Sequence, residues 1–234
     1  MRIKKYPLSC LLNRLDKRFL VLIICSSLVS CYGPKRVNKW VQEKYGTTLS
    51  SQAKPKDDYF FISSPLVTNT QFASTTEKET KHVLPLIFYW QVDYINTCTL
   101  NPKIPVNTFS STLRSYANAK GLKQKLDGGK IEITIDAVPT VFAIDDRGHV
   151  IWVIFAVGWD VFSVLPENKN MVVSYRIVKD NTETKKGTVT VVNNDKPLKN
   201  LKKVKEGTLQ YLNQYDENIK AMTKKAVDEI IGQL

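Results

Sequence analysis

The sequence predicts an α+β protein in which an antiparallel sheet packs, on one face, against a mid-chain helix and a long C-terminal helix. Apolar and polar residues alternate in several runs between positions 88 and 192, as strands require, and two segments near 109–120 and 207–231 have helical periodicity. The 234 residues are 43% hydrophobic and 24% charged, which is typical of a globular chain. A chain of this length can fold without disulfides or metals.

A leader segment precedes this body. Its basic residues are Arg2, Lys4, Lys5, Arg14, Lys17 and Arg18, and the uncharged run 19–30 follows them. This order is that of the basic and apolar regions of a secretory signal peptide. The apolar run is shorter than the roughly 20 residues of a membrane-spanning helix, so we expect a cleaved leader.

The leader ends in Leu28-Val29-Ser30-Cys31, which resembles the lipobox of bacterial lipoproteins. The resemblance implies cleavage before Cys31, a diacylglycerol on its thiol and often a further acyl chain such as palmitate on its amino group. Two acyl chains anchor a protein stably, at about 0.8 kcal/mol per buried CH₂. The alternative is an ordinary leader that is cut nearby, with Cys31 left unmodified. We therefore predict a signal peptide at 1–30, a lipid anchor with a short helix and linker at 31–57, and an α+β globular domain at 58–234.

Charge and cysteine content change when the leader is removed. Loss of its six basic residues and one acidic residue lowers the net charge from +12 to +7. A nucleic-acid partner is therefore not expected. Cys10 and Cys25 leave with the leader, so Cys98 is the one thiol left besides Cys31. We expect no internal disulfide and a buried Cys98.

The first elements after the anchor are short. Val37, Trp40, Val41 and Tyr45 recur at helical spacing, so they predict a helix that either rests on lipid headgroups or packs on the core. A polar connector at 47–57 and a short strand at 59–62 follow. Residues 63–80 include eight Ser or Thr, which predicts a loop.

Strands and one helix follow in the middle of the chain. Residues 88–95 alternate as a half-buried strand, which the two prolines of 101–105 end. Asn107 is the predicted N-cap of a helix that continues to about Lys120.

Two hairpins and a final helix complete the predicted body. Residues 131–137 and 141–144 alternate, and Asp145-Asp146-Arg147-Gly148 has the composition of a turn. Residues 150–157 are apolar at every position, which predicts a central strand covered on both faces. A second hairpin pairs 173–177 with 188–192, and the long helix occupies about 207–231.

No catalytic residue, metal site or cofactor site is predicted. The sequence has no glycine-rich phosphate loop and no nucleophile elbow, and its two histidines, His82 and His149, are expected at the surface. Asp145 and Asp146 with Asp136 could supply oxygens to Ca²⁺, although turn formation explains the first two equally well.

Two groups of residues are candidate contact sites. The five lysines of the densest basic cluster either form a solvated connector or contact anionic lipid or an acidic partner. They are Lys196, Lys199, Lys202, Lys203 and Lys205. Tyr89, Trp90, Trp152 and Trp159 either belong to the core or line a ligand groove.

The order of elements over 58–231 is similar to the architecture of auxiliary envelope lipoproteins of ABC-type lipid transport, and to the plug-like lipoprotein of the lipopolysaccharide translocon. The resemblance implies a non-enzymatic accessory or binding module of a periplasmic or outer-membrane complex, with an envelope protein or lipid as partner. Its contact would be the β-rich face or the loop at 63–82. No Asp follows Cys31, which favours the outer membrane. The alternative is an envelope hydrolase with an acidic site that the sequence does not identify.

Overall fold

The computed structural model of the protein describes residues 33–46, 59–66, 71–84, 89–152 and 156–234. The predicted signal peptide, Cys31 and the predicted connector at 47–57 lie outside these residues. One compact unit extends from Pro34 to Leu234. Its mixed α+β content confirms the predicted class, with a mid-chain helix and a long C-terminal helix packed against antiparallel strands.

Four helices and nine strands follow one another along the described residues. The helices are α1 (Pro34–Tyr45), α2 (Lys103–Ala119), α3 (Leu122–Lys125) and α4 (Val204–Gln233). The strands are β1 (Phe60–Ser63), β2 (Ala73–Leu84), β3 (Tyr89–Leu100), β4 (Lys130–Ala137), β5 (Val141–Trp152), β6 (Ala156–Pro166), β7 (Met171–Lys179), β8 (Thr182–Val191) and β9 (Leu198–Leu201).

The strands form two sheets. The four-stranded sheet has the order β1-β4-β7-β8 and the five-stranded sheet has the order β2-β3-β5-β6-β9. Neighbouring strands are antiparallel except β1 and β4, which are parallel. The predicted hairpin of 173–192 is present as β7 and β8, but the predicted pairing of 173–177 with 188–192 is wrong in register, since Tyr175 pairs with Gly187 and Ile177 with Lys185. Asp180 and Asn181 join these strands with φ of 52° and 60°, the left-handed pair that suits the twist of a tight hairpin.

Helix α4 unites the two sheets. It confirms the predicted helix at 207–231 and buries one stripe of side chains, which includes Tyr211, Leu212, Tyr215, Ile219 and Met222. The Tyr211 ring lies 5.1 Å from the ring of Phe142 in the five-stranded sheet. Near the other end of α4, Gln233 Oε1 accepts a hydrogen bond of 2.5 Å from Tyr175 in the four-stranded sheet. The core therefore lies between the helices and both sheets.

Helix α1 packs on the core, which is one of its two predicted positions. Its apolar residues Val37, Trp40, Val41 and Tyr45 are buried, and the helix lies against β2, β3 and α4. Asn38 Oδ1 accepts a hydrogen bond of 2.6 Å from Thr75 on β2. The Tyr45 hydroxyl donates to Asp216 on α4 at 2.9 Å. The compact unit thus includes α1.

The mid-chain helix begins earlier than predicted. Helix α2 starts at Lys103, so the prediction of Asn107 as its N-cap is wrong. Asn101 Oδ1 accepts a hydrogen bond from the Lys103 backbone N–H at 2.9 Å. Pro105 lies in the first turn, where a backbone N–H has no partner inside the helix, so this proline does not interrupt it.

The loop predicted at 63–80 is also wrong in its second half. Residues 73–84 form β2, which pairs with β3 along its whole length. Its Ser, Thr, Glu and Lys residues show no apolar alternation because β2 is an edge strand and is mostly exposed. Threonine is well suited to strands, and pairing with β3 outweighed the loop-like composition.

Strand β5 overturns two further predictions. Asp145–Gly148 is not a turn, because β5 continues through it and pairs with β3 on one side and β6 on the other. The apolar run 150–157 is not one covered strand, since it includes the end of β5 and the start of β6. Pairing on both sides overrode the turn preference of Asp and Gly, and periodicity alone does not show what covers a strand.

Candidate functional site: an exposed aromatic sheet end

One end of the five-stranded sheet, which we call the aromatic end, exposes five large apolar side chains among the described residues. They are Val83, Trp90, Trp152, Val157 and Trp159, with exposed fractions of 54, 38, 49, 48 and 43%. The fourth tryptophan of the chain, Trp40, is a buried residue of α1. Large exposed apolar patches on proteins mark contact sites for partners or membranes.

The register of the strands places these side chains on both faces of the sheet. Val83 is paired with Trp90, and Trp90 with Val150, so the three side chains share a face. Trp152 follows two residues after Val150 and lies on the same face. Trp159 is paired with His149, the neighbour of Val150 on β5, and therefore lies on the opposite face.

The first of these faces is the core face, because it continues down the strands to the buried side chains of Asn96 and Ile144. The second is the outer face. Within the described residues no element covers either face at the aromatic end, since every residue from Lys81 to Val83 and from Val157 to Asp160 is exposed and consecutive residues of a strand face opposite ways. The base of the sheet differs, because α1 and α4 pack there on the core face at Thr75 and Phe142.

A polar network on the outer face supports the aromatic residues. The Tyr89 hydroxyl donates to Gln91 Oε1 at 3.1 Å and lies 2.7 Å from His149 Nδ1. Gln91 in turn donates to Asp93 at 2.8 Å. The His149 ring stacks on Trp159 with centroids 5.2 Å apart. His149 is therefore a half-buried positioning residue for Trp159, and not the simple surface residue that the sequence predicted.

The core face next to the aromatic end holds two buried polar groups. Asp146 is 8% exposed and its Oδ1 has no hydrogen-bond partner among the described residues. Asn96 is fully buried, and neither the oxygen nor the nitrogen of its side-chain amide has a hydrogen-bond partner among the described residues. Asn96 is paired with Ile144 and Tyr94 with Asp146, so Asn96 and Asp146 are diagonal neighbours. Burial, and then the charges of Asp160 and Asp145, raise the pKa of Asp146 to about 7.

The structure does not bring the three candidate calcium ligands together. Asp136 lies on β4 in the other sheet, where Ser174 donates to it at 2.5 Å. Asp145 lies on the outer face of the sheet, where it is buried and pairs with Arg147 at 2.7 Å, whereas Asp146 lies on the core face. Among the residues that the structure describes, no group of three or more His, Cys, Asp or Glu is arranged to hold a metal ion.

The lysine cluster lies away from the aromatic end. All five lysines are exposed, around β9 and the start of α4. Strand β9 pairs with β6 only at Phe162 and Val164, near the base of the sheet. Lys205 forms an ion pair with Glu43 of α1 at 2.9 Å. The cluster and the aromatic end are therefore separate surfaces.

A cavity of about 400 Å³ lies on the four-stranded sheet. It is lined mainly by polar side chains, which include Glu132, Thr134, Ser174, Arg176, Glu183 and Lys186. Its two carboxylates form ion pairs, Glu132 with Arg176 at 2.5 Å and Glu183 with Lys186 at 3.6 Å. The carboxyl with the raised pKa, Asp146, belongs to the other sheet, so this cavity and that group do not form one site.

Sequence reasoning found part of the site. It named Tyr89, Trp90, Trp152 and Trp159 together, and the structure gathers them at one sheet end, although on two faces and not in a groove. It missed Val83, Val157 and Asn96, whose importance depends on strand register. Cys98 is buried as expected, and burial raises the pKa of its thiol to about 11.

No protein family model, no curated protein and no solved structure matched this chain. Of the helices in the described part of the chain, none combines the length and the apolar character that crossing a bilayer requires.

Proposed function

We propose that this protein is a lipid-anchored envelope lipoprotein that faces the periplasm, and that it acts as a non-enzymatic binding or accessory module through its aromatic end. The observation that carries the proposal is the exposure of Trp90, Trp152 and Trp159 at one end of the sheet. Tryptophan is enriched at contact surfaces because it combines a large apolar ring with a hydrogen-bond donor. The lipobox pattern at Cys31 supplies the anchor, and the absence of Asp directly after Cys31 favours the outer membrane.

The packing of α1 makes this anchor short. Tyr32 and Gly33 are the only residues between Cys31 and the first residue of α1, Pro34. Three peptide units span at most about 11 Å when fully extended. An acylated Cys31 would therefore keep the bilayer close to α1 and to the five-stranded sheet against which α1 packs.

Metabolic labelling with a palmitate analogue tests the anchor. We expect label on the wild-type chain and on Cys98→Ala, the matched control, because Cys98 is buried. The Cys31→Ala variant should carry none. Label on Cys31→Ala equal to that on the wild type would refute lipidation at this residue.

Site-specific photo-crosslinking in cells tests the contact surface. A photoreactive residue at Trp159 should give reproducible adducts with a protein or a lipid, because this side chain is exposed at the aromatic end. The same residue at Lys199, in the lysine cluster, is the matched control and should give few. Adducts from Lys199 and none from Trp159 would show that the partner binds the lysine cluster and not the aromatic end.

The hydrolase remains a second candidate, and Asp146 is the observation that favours it. A carboxyl whose pKa is about 7 suits a general acid, and Asp160 is a second carboxylate close enough to help raise that pKa. Asp146→Asn distinguishes the two functions. It should leave crosslinking from Trp159 unchanged if the protein is a binding module, whereas loss of an envelope hydrolytic activity in this variant would support the enzyme.

A further inference from the structure

We propose that the aromatic end inserts into the interfacial layer of a lipid bilayer, so that the protein contacts the membrane at a second point besides Cys31. The inference deepens the proposed function and rests on it for the nearness of the bilayer. It commits to lipid, and not to a protein, as the partner of this surface.

Exposure on both faces is the first reason. Trp90 and Trp152 project from the core face, and Trp159 and Val157 from the outer face, all within a few residues of the strand ends. A protein partner usually covers one face of a sheet or pairs with its edge. A bilayer interface surrounds whatever enters it, so it can bury both faces at the same level.

The depth of the apolar zone is the second reason. Trp159 is paired with His149, which lies three residues before Trp152 on β5. Three residues of a strand span about 10 Å. This matches the roughly 5–10 Å to which amphipathic surface elements enter the boundary between headgroups and acyl chains.

A sharp polar boundary limits the zone. On the core face, counted from the aromatic end, the first charged side chains are Lys81 and Asp160. Lys81 lies two residues from Val83 on β2 and Asp160 two residues from Gly158 on β6, both in the direction away from the aromatic end. On the outer face Asp93 and Arg147 follow directly below the row of His149. Exposed tryptophans that adjoin a row of charged side chains are placed as tryptophans are at membrane–water interfaces.

The open edges of the sheet require the insertion to be shallow. At this end β2 and β6 are edge strands, since β9 reaches only Phe162 and Val164 of β6. Unpaired backbone groups are too costly in the hydrocarbon core but can bind water and headgroups in the interface. Anchoring through Cys31 would raise the effective concentration of the membrane surface for such a contact.

Depth-dependent quenching of tryptophan fluorescence in the full, processed chain tests the proposal. The protein is reconstituted in phosphatidylcholine vesicles with or without brominated acyl chains. Each variant keeps the buried Trp40 and one of Trp90, Trp152 or Trp159, with the other two changed to Phe. A variant with Trp40 alone gives the background. Phe61→Trp in that background is the matched control, because Phe61 is 56% exposed on the four-stranded sheet.

We expect brominated lipid to quench Trp90, Trp152 and Trp159, with a blue shift of their emission and protection from aqueous iodide. Neither Trp40 nor the tryptophan introduced by Phe61→Trp should lose emission to brominated lipid, and the introduced tryptophan should stay accessible to iodide. If the three native tryptophans of the aromatic end stay open to iodide and are not quenched in vesicles, the insertion is overturned.

Vesicle flotation separates this outcome from failure of the anchor. A chain that floats with the vesicles but shows no quenching overturns the insertion and leaves the anchor in place. If the processed chain from cells carries no acyl groups and its tryptophans are nevertheless quenched by added vesicles, the insertion is supported and the anchor is overturned. Absence of both flotation and quenching overturns both.

Discussion

The two ends of the five-stranded sheet belong to the same strands but have opposite surroundings. At the base, Phe142 is 1% exposed and its ring lies against Tyr211 of α4. At the aromatic end, Trp152 of the same strand β5 is 49% exposed. Both residues are large and apolar and lie on the core face, so the difference comes from the helices that cover the base and leave the other end open. An apolar strand residue therefore indicates a core only where another element packs on it.

The largest expected effect is a difference in stability between variants at Phe142 and at Trp152. Phe142→Ala should lower the free energy of unfolding by about 3–5 kcal/mol, because it leaves a cavity against α4. Trp152→Ala should change it by less than about 1 kcal/mol, since the side chain is half exposed. Urea unfolding followed by circular dichroism measures both. Equal losses for the two variants would show that the aromatic end is packed in solution.

Asp146 sits between the two ends and gives the sheet a pH dependence. Because its pKa rises from an ordinary value of 3.8 to about 7, the folded state keeps a proton that the unfolded state releases. The free energy of unfolding should therefore fall as pH rises from about 4 to about 7 and remain low above that. Asp146→Asn should remove this dependence and be more stable than the wild type at pH 8 by a few kcal/mol, since each pKa unit corresponds to about 1.4 kcal/mol.

Urea titrations at pH 5 and pH 8 check this expectation. Asp160→Asn is the matched control: it keeps the buried carboxyl and removes one cause of its raised pKa, so it should weaken the dependence without abolishing it. An unchanged pH dependence in Asp146→Asn would rule out this carboxyl as its source.

Gly187 extends the comparison to the packed four-stranded sheet. A Cβ at this position would lie 2.8 Å from the hydroxyl and 2.9 Å from ring carbons of Tyr175, which is buried and bonded to Gln233. Gly187→Ala should therefore cost about 1–2 kcal/mol. Gly232→Ala is the control, since a Cβ there meets nothing within 4 Å, and it should be neutral or slightly stabilising. Thermal unfolding distinguishes them, and equal midpoints would contradict tight packing at Tyr175.

The smallest expected effect is in the lysine cluster. Lys205 and Glu43 form an ion pair in which both side chains are largely exposed, so water and salt screen it. Lys205→Gln should change the free energy of unfolding by less than about 0.5 kcal/mol. A larger loss in denaturant titrations at low salt would mean that this pair holds α1 to α4.

The candidate site was predictable in composition but not in arrangement. Aromatic residues on the predicted strands pointed to Trp90, Trp152 and Trp159, yet the apolar run 150–157 favoured a covered strand. The turn composition of Asp145–Gly148 predicted that the strand ends there, whereas β5 continues to Trp152. The register that pairs Trp90 with Val150 could therefore not be predicted. Asn96 and Asp146 become neighbours only through that register.

The sequence by itself determined the features that local patterns encode. Its helical periodicity defined α4, its alternation defined the β7–β8 hairpin, and its Leu-Val-Ser-Cys pattern placed the predicted anchor at Cys31. Only the tertiary structure decided that the strands form two sheets, that α1 packs on β2 and β3, and that no element of the described residues packs on one end of the five-stranded sheet. The physical reason is that side-chain periodicity shows which face of an element is apolar, whereas long-range pairing and packing decide whether anything covers that face.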